Sequence, residues 1–376
     1  MKFSCERTSF TQAVAITGKA IASKPSAPVL SGIYIKAEAD NTLELRATDN
    51  ETSIICKLTA KEGLNVETPG EAVLAGRYFQ EIVRNLPGEN VNIDYNYQEK
   101  TIKIQSGSLK YTLLSMNAED YPQIIPFQGD VNFVLSDKVL RNLIMKTCYA
   151  CSNDTARPIF TGCSLNIHEN TIAMAATNTH QLAVQNATLN STYNGNLSST
   201  IPSKVLSAIE KMLVSDVPTD VNISLNSRQI GFAYDNMYVA TRLIEGRFPD
   251  YSRVIPLDFA TRVIMDKSEF ASALRRINVI ASTSEYKSVK FEFMNSSVRM
   301  SASNPDIGYS EEILPASIDG EDLVISFNSE YLLKVLAVME TPQFIFSLNN
   351  SVSAAAIREV DSTDFTYIIT PIRTTA

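Results

Sequence analysis

Apolar and polar residues alternate along this chain in short runs, and the runs recur three times. "SGIYIKAEADNTLELRATDNETSI" from Ser31, "TGCSLNIHENTIAMAATNTHQLAV" from Thr161 and "KSVKFEFMNSSVRMSASNPDIGYS" from Lys287 share one layout. Each is an alternating run, a polar turn and a second alternating run, closed by Ala-Thr-Asp, Ala-Thr-Asn or Ala-Ser-Asn. A period of two sends successive side chains to opposite faces, as in a half-buried strand. Leu43 and Leu45 then face one way, Glu44 and Arg46 the other. Phe291 and Phe293 do the same against Lys290 and Glu292. Paired runs around Asp-Asn, Glu-Asn and Asn-Ser predict hairpins.

A helical period also recurs. "LAGRYFQEIVRNL" begins at Leu74, "IPSKVLSAIEKML" at Ile201 and "FNSEYLLKVLAVM" at Phe327, spaced by 127 and 126 positions. Phe79, Ile82, Val83 and Leu86 form one face of an amphipathic helix, and Ser203 and Asn328 stand at or near N-caps. An opening helix is marked by Phe10, Val14, Thr17 and Ile21, then by Leu140, Leu143, Ile144 and Thr147, then by Phe270, Ala273, Leu274 and Ile277. After the later helices the chain alternates again. "VNIDYNYQEKTIKIQSGSLKYTLLSM" and "VNISLNSRQIGFAYDNMYVATRLI" each predict three short strands, and "AEDYPQIIP" and "GRFPDYSRVIP" close the first two copies. The expected fold is α+β, with three repeated domains over residues 1–126, 127–256 and 257–376. Each is built of two similar β-rich halves with two helices.

Composition narrows the function classes. The 376 residues are 44% hydrophobic and 20% charged, an ordinary globular balance, with a net charge of −8. No run is long enough to span a membrane, the start carries no secretory signal, and five cysteines do not make a disulfide framework. The expected setting is a reducing cytoplasm. Cys148 and Cys151 form a lone CxxC with no second pair or nearby histidine, so neither zinc nor any other cofactor is expected. Asp49, Asp120, Asp250 and His180 could be offered as acid–base groups. Asp49, however, occupies a slot that reads Asp, Asn, Asn across the copies, and an amide cannot carry a proton there. Asp120 and Asp250 sit beside Tyr-Pro and Phe-Pro pairs, as turn residues do. No phosphate-binding glycine loop is present. A non-catalytic protein is therefore expected. A cytoplasmic β-rich scaffolding protein without a DNA role is the alternative.

The order of "ATDNETSI", "ATNTHQLAV", "EGRFPDYSRVIP" and a terminal "YIITPIR" resembles the bacterial DNA polymerase III beta-subunit family, the replicative sliding clamps, over the whole chain. The resemblance implies a head-to-tail homodimer closed into a ring, with strands outside and helices lining a hole for duplex DNA. Such a ring tethers the replicative polymerase, is placed by a clamp loader, and also docks repair polymerases and mismatch-repair proteins. Sliding requires diffuse phosphate contacts rather than base reading. The helices carry suitable cations: Arg77 and Arg84, Lys204 and Lys211, Lys334, and on the opening helices Arg141, Lys146, Arg275 and Arg276. Lys24 and Tyr286 fall where the family touches DNA.

The family's partner peptides bind a pocket whose positions match Phe160, Thr177, Thr179, His180, Gln181, Leu182, Pro249, Val254, Ile368, Thr370, Pro371, Ile372 and Arg373. Apolar walls with a few polar groups suit a peptide groove. Family members often carry arginine in place of Gln181, methionine in place of Thr370 and Ile372, and leucine in place of Phe160. The loss of methionine implies a less yielding pocket. Thr374 to Ala376 follow Arg373 and are expected to flank the groove. Tyr111 and Leu113 match one side of the family's dimer contact, and Ile280 and Ala281 the other, with Ala281 replacing a larger residue.

Overall fold

The computed structural model describes residues 1–213 and 217–373, so Thr374 to Ala376 lie outside the described residues. Within them are six α-helices: α1 (Arg7–Thr17), α2 (Gly76–Arg84), α3 (Asp137–Thr147), α4 (Ser203–Met212), α5 (Lys267–Ala281) and α6 (Ser329–Val338). Each copy opens with a strand that runs straight into its first helix: Lys2–Glu6 into α1, Val131–Ser136 into α3, and Thr261–Asp266 into α5. At α5 and α6 the turn from strand to helix is held by a side-chain cap. Asp266 Oδ1 accepts from the Glu269 N–H at 2.8 Å, and Asn328 Oδ1 accepts from the N–H groups of Glu330 and Tyr331 at 2.9 and 3.3 Å. Ser203 is itself the first residue of α4.

The chain separates into two compact units. The first comprises Met1–Leu140 and Ala208–Leu243. Its strands form one 13-stranded sheet. The predicted hairpin of the first copy is there, Gly32–Ala37 pairing with Leu43–Thr48 so that Ile35 aligns with Leu45, and of the strands predicted after α4, Gln229–Tyr234 pairs with Met237–Arg242. The helical periodicity holds too. Phe10, Val14, Thr17, Phe79, Val83 and Leu86 are buried, with the rings of Phe3, Phe10 and Phe79 meeting edge-on at 6.1 and 6.0 Å. Ile21 lies past the end of α1 and packs half-buried on the same core. Glu44 departs from the simple alternation. It is buried at 6% exposure because Arg46 and Lys57 close over its carboxylate.

The second unit comprises Arg141–Ser207 and the chain from Ile244 onward. It holds a seven-stranded and a four-stranded sheet. Phe270, Phe291, Phe293, Phe327, Phe344 and Phe346 fill its centre, fully buried, in ring contacts between 5.2 and 6.2 Å. A hydrogen bond of 2.6 Å from Ser329 to Asn278 ties the start of α6 to α5.

The units part within the middle copy, because its two halves pair with different neighbours. Met237–Arg242 aligns with the first copy's Thr52–Leu58, whereas Gln181–Pro202 aligns with the last copy's Phe365–Ile369. A sheet that continues from one repeat into the next leaves no sparse boundary at the repeat ends.

Candidate functional site

The corner between strands Gly162–Thr177 and Gln181–Pro202 is fastened by its own side chains. Asn178 Oδ1 accepts from the N–H groups of His180 and Gln181, both at 3.0 Å. The Thr177 hydroxyl accepts from the Thr179 N–H at 3.0 Å and donates to the Gln181 carbonyl at 2.6 Å. Thr179 takes φ 78°, a left-handed conformation that these local bonds compensate. The corner's sister in the first copy is made the same way. There Asp49 Oδ1 accepts from Glu51 and Thr52 N–H groups at 3.0 and 2.7 Å, and Thr48 accepts from the Asn50 N–H. In the third copy Asn304 Oδ1 accepts from the Asp306 N–H. Carboxylate and amide therefore do one job, holding turn backbone. Asp250 also serves a turn. It caps the short helix Tyr251–Val254, and the Ser252 hydroxyl, with Arg253 beside it, holds its carboxyl below the ordinary value. Asp120 ends the short helix Ala118–Asp120.

Thr370 docks on this corner, donating through its N–H and hydroxyl to the His180 carbonyl at 3.0 and 3.1 Å. The last strand, Phe365–Ile369, pairs with Gln181–Gln185 so that Leu182 aligns with Ile368. Behind them Ala175, Leu182, Val184, Ala356 and Ile368 form a buried floor, and Tyr251, Ile255, Phe259 and Ala354 pack against it. The result is a cavity of about 280 Å³ walled by Phe160, Leu182, Phe248, Pro249, Tyr251, Val254, Ala354 and Ile368, with Thr177, Thr179, His180, Gln181, Asp250 and Thr370 as its polar edge. Apolar walls with few polar groups suit an apolar anchor side chain.

Ten of the thirteen expected pocket residues line this cavity. Pro371, Ile372 and Arg373 do not. Beyond Thr370 the chain leaves the corner, and the Ile372 N–H bonds instead to the Ser326 carbonyl at 2.8 Å. Phe248, Asp250, Tyr251 and Ala354 were not foreseen. The first three fall within "GRFPDYSRVIP", whose repetition was visible; Ala354 carried no signal. Gln181 is only 3% exposed, and its amide oxygen accepts from the Tyr367 hydroxyl at 2.7 Å. Its polar head is thus committed to the strand beneath the groove. His180 offers the groove an exposed ring and offers Thr370 its carbonyl.

Of the expected DNA-facing cations, Lys24, Arg77, Lys204, Lys211, Arg275 and Lys334 are exposed, as is Tyr286 at 63%. Arg84 is exposed but bonded to Glu81, and Arg276 lies along the Glu312 carboxylate, Nε to Oε2 at 2.9 Å. Arg141 is half-buried on α3. Lys146 corrects the sequence reading. It is 3% exposed and pairs with buried Glu359 at 2.8 Å, so its charge is not available to a phosphate. The third copy supplied the partner 213 residues away. Among the expected dimer residues, Tyr111 and Leu113 are half-buried on the strand Leu109–Met116, and Ile280 is half-buried on α5. Ala281 turns into the core at 2% exposure, so its side chain offers no surface to a partner; Val279 nearby is 67% exposed.

The CxxC also has a setting the sequence did not disclose. Cys163 joins Cys148 and Cys151, and the three Sγ atoms lie within 4.8 Å of one another. Hydrogen bonds from Cys151 and Cys163 hold the Cys148 thiol far below its ordinary value. The same contacts, with burial, push Cys151 and Cys163 up.

Comparison with known proteins places the whole chain. The N-terminal, central and C-terminal domains of the DNA polymerase III beta subunit match residues 1–125, 134–250 and 252–373 in tandem. The beta sliding clamps of Bacillus subtilis and Staphylococcus aureus are each 31% identical to it, over the full length of both chains. The crystal structure of the Bacillus subtilis DNA polymerase sliding clamp superposes with a TM-score of 0.90 at 30% identity, covering all of both chains. A Pseudomonas aeruginosa sliding clamp bound to griselimycin superposes at 0.89 with 26% identity, again over both chains entirely. With three tandem clamp domains in an α+β fold and full-length relatives at this identity, the chain belongs to the DNA polymerase III beta-subunit family, the bacterial beta sliding clamps.

Proposed function

We propose that two copies of this chain close head to tail into a ring around duplex DNA, which slides without reading sequence and tethers the replicative polymerase. The membership of the entire chain in the sliding-clamp family is the observation that carries this reading. In it, residues 1–126, 127–256 and 257–376 act as three domains whose helices face the DNA. Exposed Arg77, Lys204, Lys211, Arg275 and Lys334 suit that role, as does their spread over helices of all three copies. On an acidic chain of net charge −8, exposed cations on these helices would supply the local attraction for phosphate. Two open strand edges suit the ring closure. Among the described residues, Leu109–Met116 pairs along its length only with Thr101–Ser106, meeting its other neighbour at Ser115 and Met116. Gly308–Pro315 is the last strand of its sheet. Leu114, Tyr309 and Ile313 stand 77%, 61% and 53% exposed on these strands, an apolar edge that pairing with a second copy would cover.

The groove would receive short peptides of the polymerase, the clamp loader, repair polymerases and mismatch-repair proteins, each inserting apolar side chains over Leu182 and Ile368. The chain would carry no catalytic step itself and act in the bacterial cytoplasm. No helix among the described residues is long and apolar enough to cross a membrane. The test is primer extension by a bacterial replicative polymerase and clamp loader on a primed single-stranded circle. Adding this chain should lengthen the products of single binding events. Unchanged product length would favour a scaffold without a DNA role.

A further inference from the structure

None of the three clustered cysteines lines the groove. Its geometry follows from local structure. Cys148–Ala150 forms a 3₁₀ turn directly after α3, closed by the Cys151 N–H on the Cys148 carbonyl at 3.3 Å. With three residues per turn, positions i and i+3 eclipse, so Cys148 and Cys151 point the same way. The Ser152 N–H then bonds to the Phe160 carbonyl at 2.8 Å, which closes the intervening loop and returns the chain to the strand where Cys163 is the second residue. Cys163 Sγ lies 3.6 Å from Cys151 Sγ. The register sets Cys163 opposite Ile201 and Gly162 opposite Pro202, so α4 begins beside the thiols. Cys148 Sγ is 3.3 Å from the Ser203 carbonyl oxygen and 3.4 Å from Ser207 Oγ.

The first copy builds the same corner without sulfur. The 3₁₀ turn there is Gly18–Ala20. At the positions 130 residues before Cys148, Cys151 and Cys163 stand Gly18, Ile21 and Ile33. Ile33 is fully buried and Ile21 packs on the core. The scaffold therefore needs only small or aliphatic residues at these places, and packing does not account for three thiols in the middle copy. All three are free of disulfides, Cys163 is buried, and Cys148 and Cys151 are partly exposed, which leaves a route from solvent.

We propose that Cys148, Cys151 and Cys163 together bind one thiophilic closed-shell cation, of the Zn²⁺ or Cu⁺ class, as a three-thiolate site. Three sulfurs about 2.3 Å from a tetrahedral Zn²⁺ stand about 3.8 Å apart, close to the 3.6 Å already held by Cys151 and Cys163. The third sulfur needs to close by no more than about 1 Å from the 4.8 Å limit of the cluster. Three soft donors with no imidazole or carboxylate among them suit Cu⁺ in trigonal geometry, or Zn²⁺ with the Ser207 hydroxyl or a water as the fourth ligand. Binding is an acid–base exchange without redox change: each S–H that ligates passes its proton to the buffer as its sulfur bonds the metal.

The full-length reduced chain, kept under anaerobic buffer, is titrated separately with Zn²⁺ against a chromophoric chelator, with Cu⁺ likewise, and with Cd²⁺ for its thiolate charge-transfer absorbance. One equivalent should saturate the chain, absorb in the near ultraviolet with Cd²⁺, and shield three thiols from a thiol reagent. Which of Zn²⁺ and Cu⁺ competes better with the chelator identifies the ion. Cys148→Ser and Cys151→Ser, each at a partly exposed position and checked for an unchanged melting temperature without metal, should weaken binding at least about tenfold. Failure of both Zn²⁺ and Cu⁺ to saturate at one equivalent overturns the proposal. Unchanged affinity in folded variants does too, as does air oxidation to a Cys151–Cys163 disulfide in a chain that takes up neither ion once reduced.

Discussion

Replacing Asn178 tests whether the groove's upper wall is a turn held by one side-chain oxygen. Asn178 Oδ1 accepts two backbone N–H bonds at 3.0 Å, and its Nδ2 donates to the Tyr331 hydroxyl at 3.1 Å. Asn178→Ala removes all three. At about 0.5–1 kcal/mol each, the lower half of the usual range because the corner is partly solvated, the loss is about 2 kcal/mol. For a cooperative unit of this size that lowers the melting temperature by about 4–8 °C. Asn178→Asp keeps the acceptor oxygen and lets the Tyr331 hydroxyl donate instead, so it should cost less than about 0.5 kcal/mol. Asp49 already does this work in the first copy, and Asp49→Asn should be equally mild. The assay is thermal unfolding of the three variants, paired with the affinity of a partner-derived peptide. That affinity should fall for Asn178→Ala, whose loosened corner no longer fixes the His180 carbonyl for Thr370. Equal damage from Asp and Ala at position 178, or none from either, would refute the reasoning.

Lys146→Met should destabilise the chain by about 3 kcal/mol, since it strands the buried Glu359 carboxylate, yet leave the salt dependence of DNA retention unchanged; melting curves and a salt titration separate the two effects. Lys204→Ala with Lys211→Ala should do the reverse, leaving the melt intact and flattening the slope of log affinity against log salt by about 1.8, two phosphate contacts' worth. Removing the chain from Thr370 onward should abolish peptide binding measured by fluorescence polarisation, because the two bonds to the His180 carbonyl go with it; undiminished affinity would place the peptide elsewhere.

What the sequence disclosed was what periodicity encodes. Phe79, Val83 and Leu86, or Phe270, Leu274 and Ile277, declare a buried helix face by spacing alone, and the structure buries each. The Asp49, Asn178 and Asn304 slot declared its role by repetition, since a function shared by carboxylate and amide is hydrogen-bond acceptance. What stayed hidden depends on partners far along the chain. Lys146 resembles any solvated helix lysine until Glu359 arrives from the last copy. Gln181 lines the groove as expected, but that Tyr367 holds its amide no local pattern reports. Cys148 and Cys151 read as a bare pair because a loop of irregular length returns Cys163 to them. Ala354 lines the groove through backbone position, which no pattern of polarity reports.

The central claim is topological, and one measurement addresses it most directly. The protein, placed by a clamp loader on nicked circular DNA and separated from unbound protein by gel filtration, is followed before and after the circle is cut once by a restriction enzyme. A ring held by topology should stay with the circle and leave within minutes of linearisation, whereas equal retention on both forms would contradict the account.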